Sequence, residues 1–172
     1  MANLKPRTVL YRRRRVQKTN YNKRLSLLKS RKNRLVVRLT NQRVIAQLVK
    51  FQTTGDKVVV AMDSFHLKEL GWSGSCKNIS ACYLTGLAIG KKILSKGEKE
   101  AILDSGRAYP FKGGRILAFL KGAIDSGLSI AYGGEEIFPS ASRMGGEHLK
   151  RKAQADAMRE FTDVKKKITK GN

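Results

Sequence analysis

The residues best suited to chemistry are the cations and aromatic rings of one short basic segment, 11–24 (YRRRRVQKTNYNKR). It contains four consecutive arginines with Tyr11 before them and Tyr21 after them. A guanidinium group pairs with two phosphate oxygens at once, and guanidinium planes and tyrosine rings stack on unpaired nucleobases. Like charges this close together repel, so the segment favours a polyanionic partner. The alternative is a solvated, disordered basic tail. The residues assigned to RNA contact in this arm are Tyr11, Arg12, Arg13, Arg14, Arg15, Lys18, Asn20, Tyr21, Lys23 and Arg24.

A second group of candidate contacts lies at 107–115 (RAYPFKGGR). Glycines before a helix let backbone amides approach a phosphate closely, and the helix dipole favours anions there. The alternative is an ordinary glycine-containing loop. The residues assigned to RNA contact here are Arg107, Lys112, Gly113, Gly114 and Arg115. A weaker assignment adds Asn41, Gln42 and Arg43 at the tip of a predicted hairpin.

Residue patterns that would support catalysis or a cofactor are weak. Gly86-x-x-x-Gly90-Lys91 lacks one spacer of a phosphate-binding loop and is followed by Lys92, so we interpret it as a helix-packing glycine pair. A metal-dependent nuclease needs clustered carboxylates, whereas Asp63, Asp104 and Asp125 have no spacing that requires a shared site. Ser64 beside His66 is not a triad. We therefore predict no enzyme activity, no small-molecule substrate, no cofactor and no metal site.

The charge distribution points to a nucleic acid. The 172 residues carry a formal net charge of +23. Residues 1–50 contain 16 basic residues and no acidic ones, residues 51–147 contain 12 and 10, and residues 148–172 contain 8 and 3. A charge of this size favours polyphosphate partners. An anionic membrane is disfavoured, because the arm has no apolar helix face and no segment is apolar over a transmembrane length.

The remaining composition favours an intracellular protein without metal. Residues 1–10 contain cations but no apolar stretch typical of a secretory signal. Cys76 and Cys82 are too few for a disulfide framework and are interpreted as reduced cytosolic thiols. Together with His66 and His148 they form no recognisable zinc pattern.

Hydrophobic alternation and turn residues predict an α/β fold with a mixed sheet. Three strands with short connections, at 34–40, 44–51 and 57–62, predict an antiparallel meander. A short helix at 63–70 follows, then a helix from Asn78 or Ser80 to about Ser95, whose Gly86 and Gly90 are expected to allow close approach to the sheet. A strand at 100–104, a helix at about 114–126 and a short strand at 128–132 complete the order βββαβα(β).

The predicted organisation has three parts. Residues 1–33 form a basic RNA-binding arm, residues 34–132 the α/β core, and residues 133–172 a C-terminal extension with a basic tail. The stretch 153–167 has helical spacing but weak apolar character, so we expect an exposed helix or a tail that orders on a partner.

The chain also resembles a known family, the universal 5S-rRNA-binding protein of the large ribosomal subunit called "L eighteen". The matching segments occur in order over most of residues 5–149, and the long arm and EEIFPS resemble the archaeal and eukaryotic branch. They are YRRRR with KTNYNKR, RLVVRxTNQxxIAQ, AxYLTGLxxGKK, EAILDSG, KGGRxxAxLKGAxDxGL, and EEIFPS with RMGGEH. The region beyond Glu147 matches only loosely.

The resemblance implies a ribonuclease-H-like layout without catalysis, and a cytoplasmic, ribosomal location. It implies a protein that binds 5S rRNA, docks it into the central protuberance beside another 5S-associated ribosomal protein, and touches large-subunit rRNA. The arm would then be the main RNA contact and 112–115 a second one. We expect the arm to be mobile until RNA orders it. Two alternatives remain open, a nonspecific structured-RNA-binding or chaperone module and a metal-dependent nuclease of the same layout.

Overall fold

The computed structural model describes residues 9–146 and 151–170. The predicted absence of a signal at 1–10 therefore falls mainly outside the described residues, as does His148. The basic segment forms two short helices, α1 (Arg12–Arg15) and α2 (Tyr21–Lys29), neither of which was predicted. Neither helix buries a residue, so apolar packing contributes little to their position.

Three antiparallel strands follow, as predicted, with boundaries shifted by one residue or less. They are β1 (Arg34–Leu39), β2 (Val44–Lys50) and β3 (Lys57–Asp63). Leu35 of β1 pairs with Leu48 of β2, and Val37 pairs with Ala46. These four side chains are almost fully buried, which explains why the register is fixed: a slip of one residue would turn them all to the other face.

The second half of the core adds parallel strands to this meander. Helix α3 (His66–Glu69) and helix α4 (Ile79–Ser95) precede β4 (Glu100–Asp104), which is followed by α5 (Arg115–Asp125) and β5 (Ser129–Ile130). The sheet order is β3-β2-β1-β4-β5, with β4 parallel to both neighbours. The α/β class and the mixed sheet are confirmed. The last strand is shorter than predicted.

Helices α4 and α5 pack tightly against each other through glycines. A Cβ atom added at Gly86 would collide with the Phe119 carbonyl oxygen, and one added at Gly122 would collide with the Tyr83 carbonyl oxygen. A Cβ at Gly90 would strike Ser126 in the same way. The interpretation of Gly86 and Gly90 as helix-packing residues is therefore confirmed. The expected packing partner was the sheet, which was wrong, because these glycines allow the close approach of α5.

Replacing Gly86 with Ala is expected to destabilise the core by about 2–3 kcal/mol in a urea titration. The methyl group must displace backbone atoms of α5, and this overpacking exceeds the roughly 1 kcal/mol by which Ala favours a helix over Gly. The matched control is Gly133→Ala, because no atom of the described residues lies within 4 Å of a Cβ there and the backbone is not left-handed. Equal midpoints for the two variants would contradict the close approach.

The C-terminal extension is folded onto the core. A 3-10 helix (Glu135–Ile137) and helix α6 (Ala141–Gly145) lead to α7 (Arg151–Lys170). Val164 is 1% exposed, and the ring of Phe161 lies 5.6 Å from that of Tyr83 on α4. The Lys165 Nζ lies 5.2 Å above the Tyr83 ring. The predicted helix is confirmed, but its expected exposure or ordering on a partner was wrong, because α7 buries one face against α4. In the part of the chain described, no helix combines the length and apolar character needed to cross a bilayer.

Candidate nucleic-acid interface

The topology places most of the predicted contact residues at one end of the sheet. Strands β1, β3 and β4 run in the same direction, so they finish at a common end, which we call the carboxyl edge. The β1–β2 hairpin tip, the loop 105–114 and the first turns of α4 and α5 lie at this edge by their connections. The arm joins them there, through the contacts described next.

One lysine and one arginine fix helix α2 across the outer face of the sheet, which is the face opposite α4 and α5. The Lys23 Nζ donates to the Ser105 Oγ and to the Gly106 carbonyl, both at 3.0 Å, directly after β4. The Arg24 Nη2 lies 2.8 Å from the Asp56 Oδ2, in the turn between β2 and β3. Both cations are half-buried. They were predicted to bind RNA, whereas the structure gives them protein partners that hold the arm.

Helix α1 leaves its cations exposed. All four side chains from Arg12 to Arg15 are exposed, as is that of Lys18. The rings of Tyr11 and Tyr21 lie 6.1 Å apart at 46°, so the two helices meet through these aromatic residues. Asn20 caps α2, since its Oδ1 accepts from the Lys23 amide at 3.1 Å. Its side-chain oxygen is thus already used by the protein.

A left-handed residue turns the chain between the two helices. Gln17 has φ 53°, which is uncommon for a residue other than glycine. Its carbonyl oxygen accepts a hydrogen bond from the Arg107 guanidinium. The sequence analysis placed Arg107 in a separate group of candidate contacts, whereas the fold brings this residue, which follows β4, to the arm. Together they line a cleft of about 340 Å³, whose walls are formed by Arg14, Gln17, Thr19, Asn20, Tyr21, Asn22 and Arg107.

Beneath α2 lies an ion network that the sequence analysis did not find. Arg34 is 4% exposed, with its Nη1 2.9 Å from the Asp104 Oδ2 and its Nη2 2.6 Å from the Asp56 Oδ2. Asp104 also accepts from the Gly106 amide at 2.8 Å and lies 3.5 Å from the Arg38 Nη2. One sequence signal was present: in RLVVR, Arg34 and Arg38 alternate with Leu35 and Val37, so both arginines face away from the apolar core.

The loop before α5 does not form the amide cradle expected from its glycines. The Gly113 amide donates to the Ile137 carbonyl, and the Gly114 amide donates to the Phe111 carbonyl, both at 2.9 Å. Gly113 is left-handed, with φ +67°, and a Cβ at Gly114 would lie 2.8 Å from the Phe111 oxygen. Turn geometry therefore explains both glycines. The first turn of α5 receives no side-chain cap.

The remaining predicted contacts lie at separate points of the edge. Lys112 is exposed, with its Nζ 3.9 Å from the Glu136 carboxylate, and the Arg115 Nη1 is 3.5 Å from the Lys77 carbonyl before α4. Asn41 is exposed at the hairpin tip, while the Arg43 Nη1 pairs with the Asp63 Oδ2 at 2.6 Å. Within residues 9–146 and 151–170, no hydrogen bond connects the arm to Lys112, Arg115, Asn41 or Arg43.

The carboxylates considered for a nuclease are each engaged elsewhere. Asp63 pairs with Arg43, Asp104 with Arg34, and Asp125 accepts from the Tyr83 hydroxyl at 2.8 Å. Among the described residues, no group of three or more His, Cys, Asp or Glu side chains could hold a metal ion. Both cysteines are free and buried, and burial raises the pKa of the Cys82 thiol to about 12, so this thiol stays protonated at neutral pH.

Comparisons with known proteins agree on one family. A family model described as ribosomal large subunit proteins 60S L5 and 50S L18 matches residues 7–103. The large ribosomal subunit protein uL18 of Methanosphaera stadtmanae is 48% identical to this chain over 147 residues. That alignment covers 86% of the chain and 76% of the archaeal protein.

Proposed function

Because this chain belongs to the family of large-subunit ribosomal proteins 60S L5 and 50S L18, we propose that it binds 5S rRNA and attaches it to the central protuberance. Membership makes it a structural protein of the large subunit. The proposal has three parts. The protein contacts 5S rRNA, it contacts large-subunit rRNA, and it lies beside other 5S-associated ribosomal proteins on cytoplasmic ribosomes.

The observation that carries the proposal is the uncompensated charge of α1. In the described part of the chain, none of the arginines from Arg12 to Arg15 has a carboxylate within salt-bridge distance. By contrast, Arg24, Arg34 and Arg43 are all paired with aspartates. The protein neutralises the cations that hold its parts together and leaves those of α1 for an external polyanion. A phosphate backbone supplies anions at the matching density.

The proposed binding mode combines counterion release with recognition of shape. Arg12 to Arg15 and Lys18 contact phosphates, while Tyr11 and Tyr21 stack on unpaired bases. The tethers at Lys23 and Arg24 hold α1 beside the carboxyl edge, so the folded core determines where these cations meet RNA. That fixed placement is what a generic basic tail lacks. Mobility of the arm before RNA is bound stays a prediction.

The test is a binding titration against 5S rRNA and against transfer RNA, at matched and rising salt. A shaped site predicts a preference for 5S rRNA that survives moderate salt, because shape recognition does not depend on counterion release alone. Equal binding that salt removes equally from both RNAs would overturn the proposal. It would instead support the nonspecific RNA-binding or chaperone module.

Replacing Lys112 and Arg115 with Ala is expected to weaken 5S rRNA binding about 10-fold, with a salt slope smaller by about 1 to 2, one contact per cation. Both side chains are exposed and their only described partners are weak ones, at 3.9 Å and 3.5 Å. Thermal unfolding should therefore barely change. A fall in melting temperature, measured by circular dichroism, would show instead that these two residues are structural.

A further inference from the structure

Two aromatic rings are unusually exposed on the loop between β4 and α5. Tyr109 is 71% exposed and Phe111 is 69% exposed. Their ring centroids lie 5.2 Å apart with the planes at 65°, an edge-to-face arrangement. Neither ring enters the core, although each has enough apolar surface to stabilise the fold if it were buried. Water-exposed rings of this kind mark a contact surface.

The loop holds the two rings in place through its own backbone. The Phe111 amide donates to the Tyr109 carbonyl at 3.1 Å, and the Gly114 amide donates to the Phe111 carbonyl at 2.9 Å. Pro110 between the rings fixes one more backbone angle. The Gly113 amide then ties the loop to Ile137. Both rings are thus presented on a constrained turn, which reduces the entropy lost when a partner binds.

The surroundings of the rings favour an anionic partner. Arg107, Lys112 and Arg115 flank the loop, and Arg107 also contacts the arm through Gln17. One carboxylate, that of Glu136, lies 3.9 Å from the Lys112 Nζ, so the local balance stays positive. Aromatic rings set among cations are the composition of a surface that stacks on bases while it binds phosphates.

We propose that Tyr109 and Phe111 form a stacking site for an unpaired RNA base, supplied by the same RNA that α1 contacts. This inference rests on the proposed function. The bases of a paired helix are covered by their neighbours, so the rings require a loop, bulge or end of the RNA. The loop thereby reads a feature of RNA structure that the phosphate contacts of the arm do not distinguish.

The experiment compares 5S rRNA binding by the wild type and by the double variant Tyr109→Ala/Phe111→Ala over a salt series. Loss of stacking on one base is expected to weaken binding roughly 10-fold at every salt concentration. The slope of log K against log salt should stay unchanged, because no phosphate contact is removed. Tyr109→Phe/Phe111→Tyr, which keeps both rings, should bind like the wild type. Phe51→Ala is the matched control, since this ring is 51% exposed next to the β2–β3 turn.

The outcomes separate this inference from the proposed function. Suppose that the wild type prefers 5S rRNA over transfer RNA, and that the double alanine variant binds 5S rRNA as tightly as the wild type does. The stacking site is then wrong and the proposed function stands. Unchanged RNA binding would also be the result if the rings contact a neighbouring protein. A variant with leucine at both positions should bind as weakly as the alanine variant, and wild-type affinity for it would show a general apolar contact instead of stacking.

Discussion

Replacing Arg12, Arg13, Arg14 and Arg15 with Gln is expected to lower the affinity for 5S rRNA on the order of 10³-fold at about 0.1 M salt. Each phosphate contact contributes roughly 0.7 to 0.9 to the slope of log K against log salt, so removal of four contacts should flatten this slope by about 3. Thermal unfolding should stay unchanged, because α1 buries no residue. A filter-binding or fluorescence titration over a salt series measures both quantities.

The matched control removes the same charge from the opposite end of the sheet. Lys50 and Lys57 flank the β2–β3 turn, while Lys96 and Lys99 lie between α4 and β4, and all four are exposed. Their replacement with Gln should weaken binding only through the smaller net charge, by about 10-fold or less. An equal loss of affinity in the two variants would mean that total charge, not the placement of α1, determines RNA binding.

Replacing Asp104 with Ala is expected to destabilise the protein by about 3–5 kcal/mol. Its side chain is 8% exposed and lies 2.9 Å from Arg34, whose own side chain is 5% exposed. Among the described residues, the buried guanidinium without Asp104 keeps only its contact to Asp56, and its Nε has no hydrogen-bond partner there even in the wild type. Leaving a buried charge half-compensated costs far more than losing an exposed ion pair. Urea unfolding provides the free energy of unfolding, when both proteins are analysed with the same m value, the dependence of that free energy on urea concentration.

The exposed pair between Arg43 and Asp63 provides the comparison. Its side chains are 42% and 31% exposed, so Asp63→Ala should cost about 1 kcal/mol or less. Asp104→Ala measured in an Arg34→Met background should cost much less than in the wild type, because the charge that needs Asp104 is then absent. If Asp104→Ala costs no more than Asp63→Ala, the buried network does not stabilise the fold.

The strands and helices α4 and α5 could be predicted because their signals are local. Leu35, Val37 and Leu48 alternate with other residues along their strands, and turn residues separate one strand from the next. Strand β4 has the predicted boundaries because Gly97 and Ser105 bracket a short apolar run. Asn78 marks the start of α4, where its Oδ1 accepts from the Ala81 amide at 2.7 Å.

The packing of α7 could not be predicted from its own residues, since only a few apolar side chains stand among many lysines. Phe161, Val164 and Ile168 have helical spacing, but the spacing does not say what they cover. The available signal lay in α4, which is buried on nearly every side from Ser80 to Gly90. A helix that is apolar all round needs a second covering element besides the sheet and α5.

Residue type alone could not separate the cations proposed to bind RNA from those that are paired within the protein. Lys18 and Lys23 look alike in the sequence, yet Lys18 is exposed while Lys23 donates to Ser105, which lies 82 positions later in the chain. The aspartates that hold Arg24 and Arg34 come from distant segments, so only the folded chain shows which charges are neutralised. The predicted contacts in α1 have no such partner among the described residues, and they remain the strongest RNA-binding candidates.

The tether between Lys23 and Ser105 spans 82 positions of sequence, which has a consequence for the protein while it is being synthesised. Translation at 5 to 20 residues per second takes roughly 4 to 16 s to cover that distance. During this interval the nascent chain carries its basic arm without Ser105 and Gly106, the acceptors that later hold Lys23. An arm of this charge, which is synthesised before these acceptors, is free to capture any nearby RNA before the core is complete.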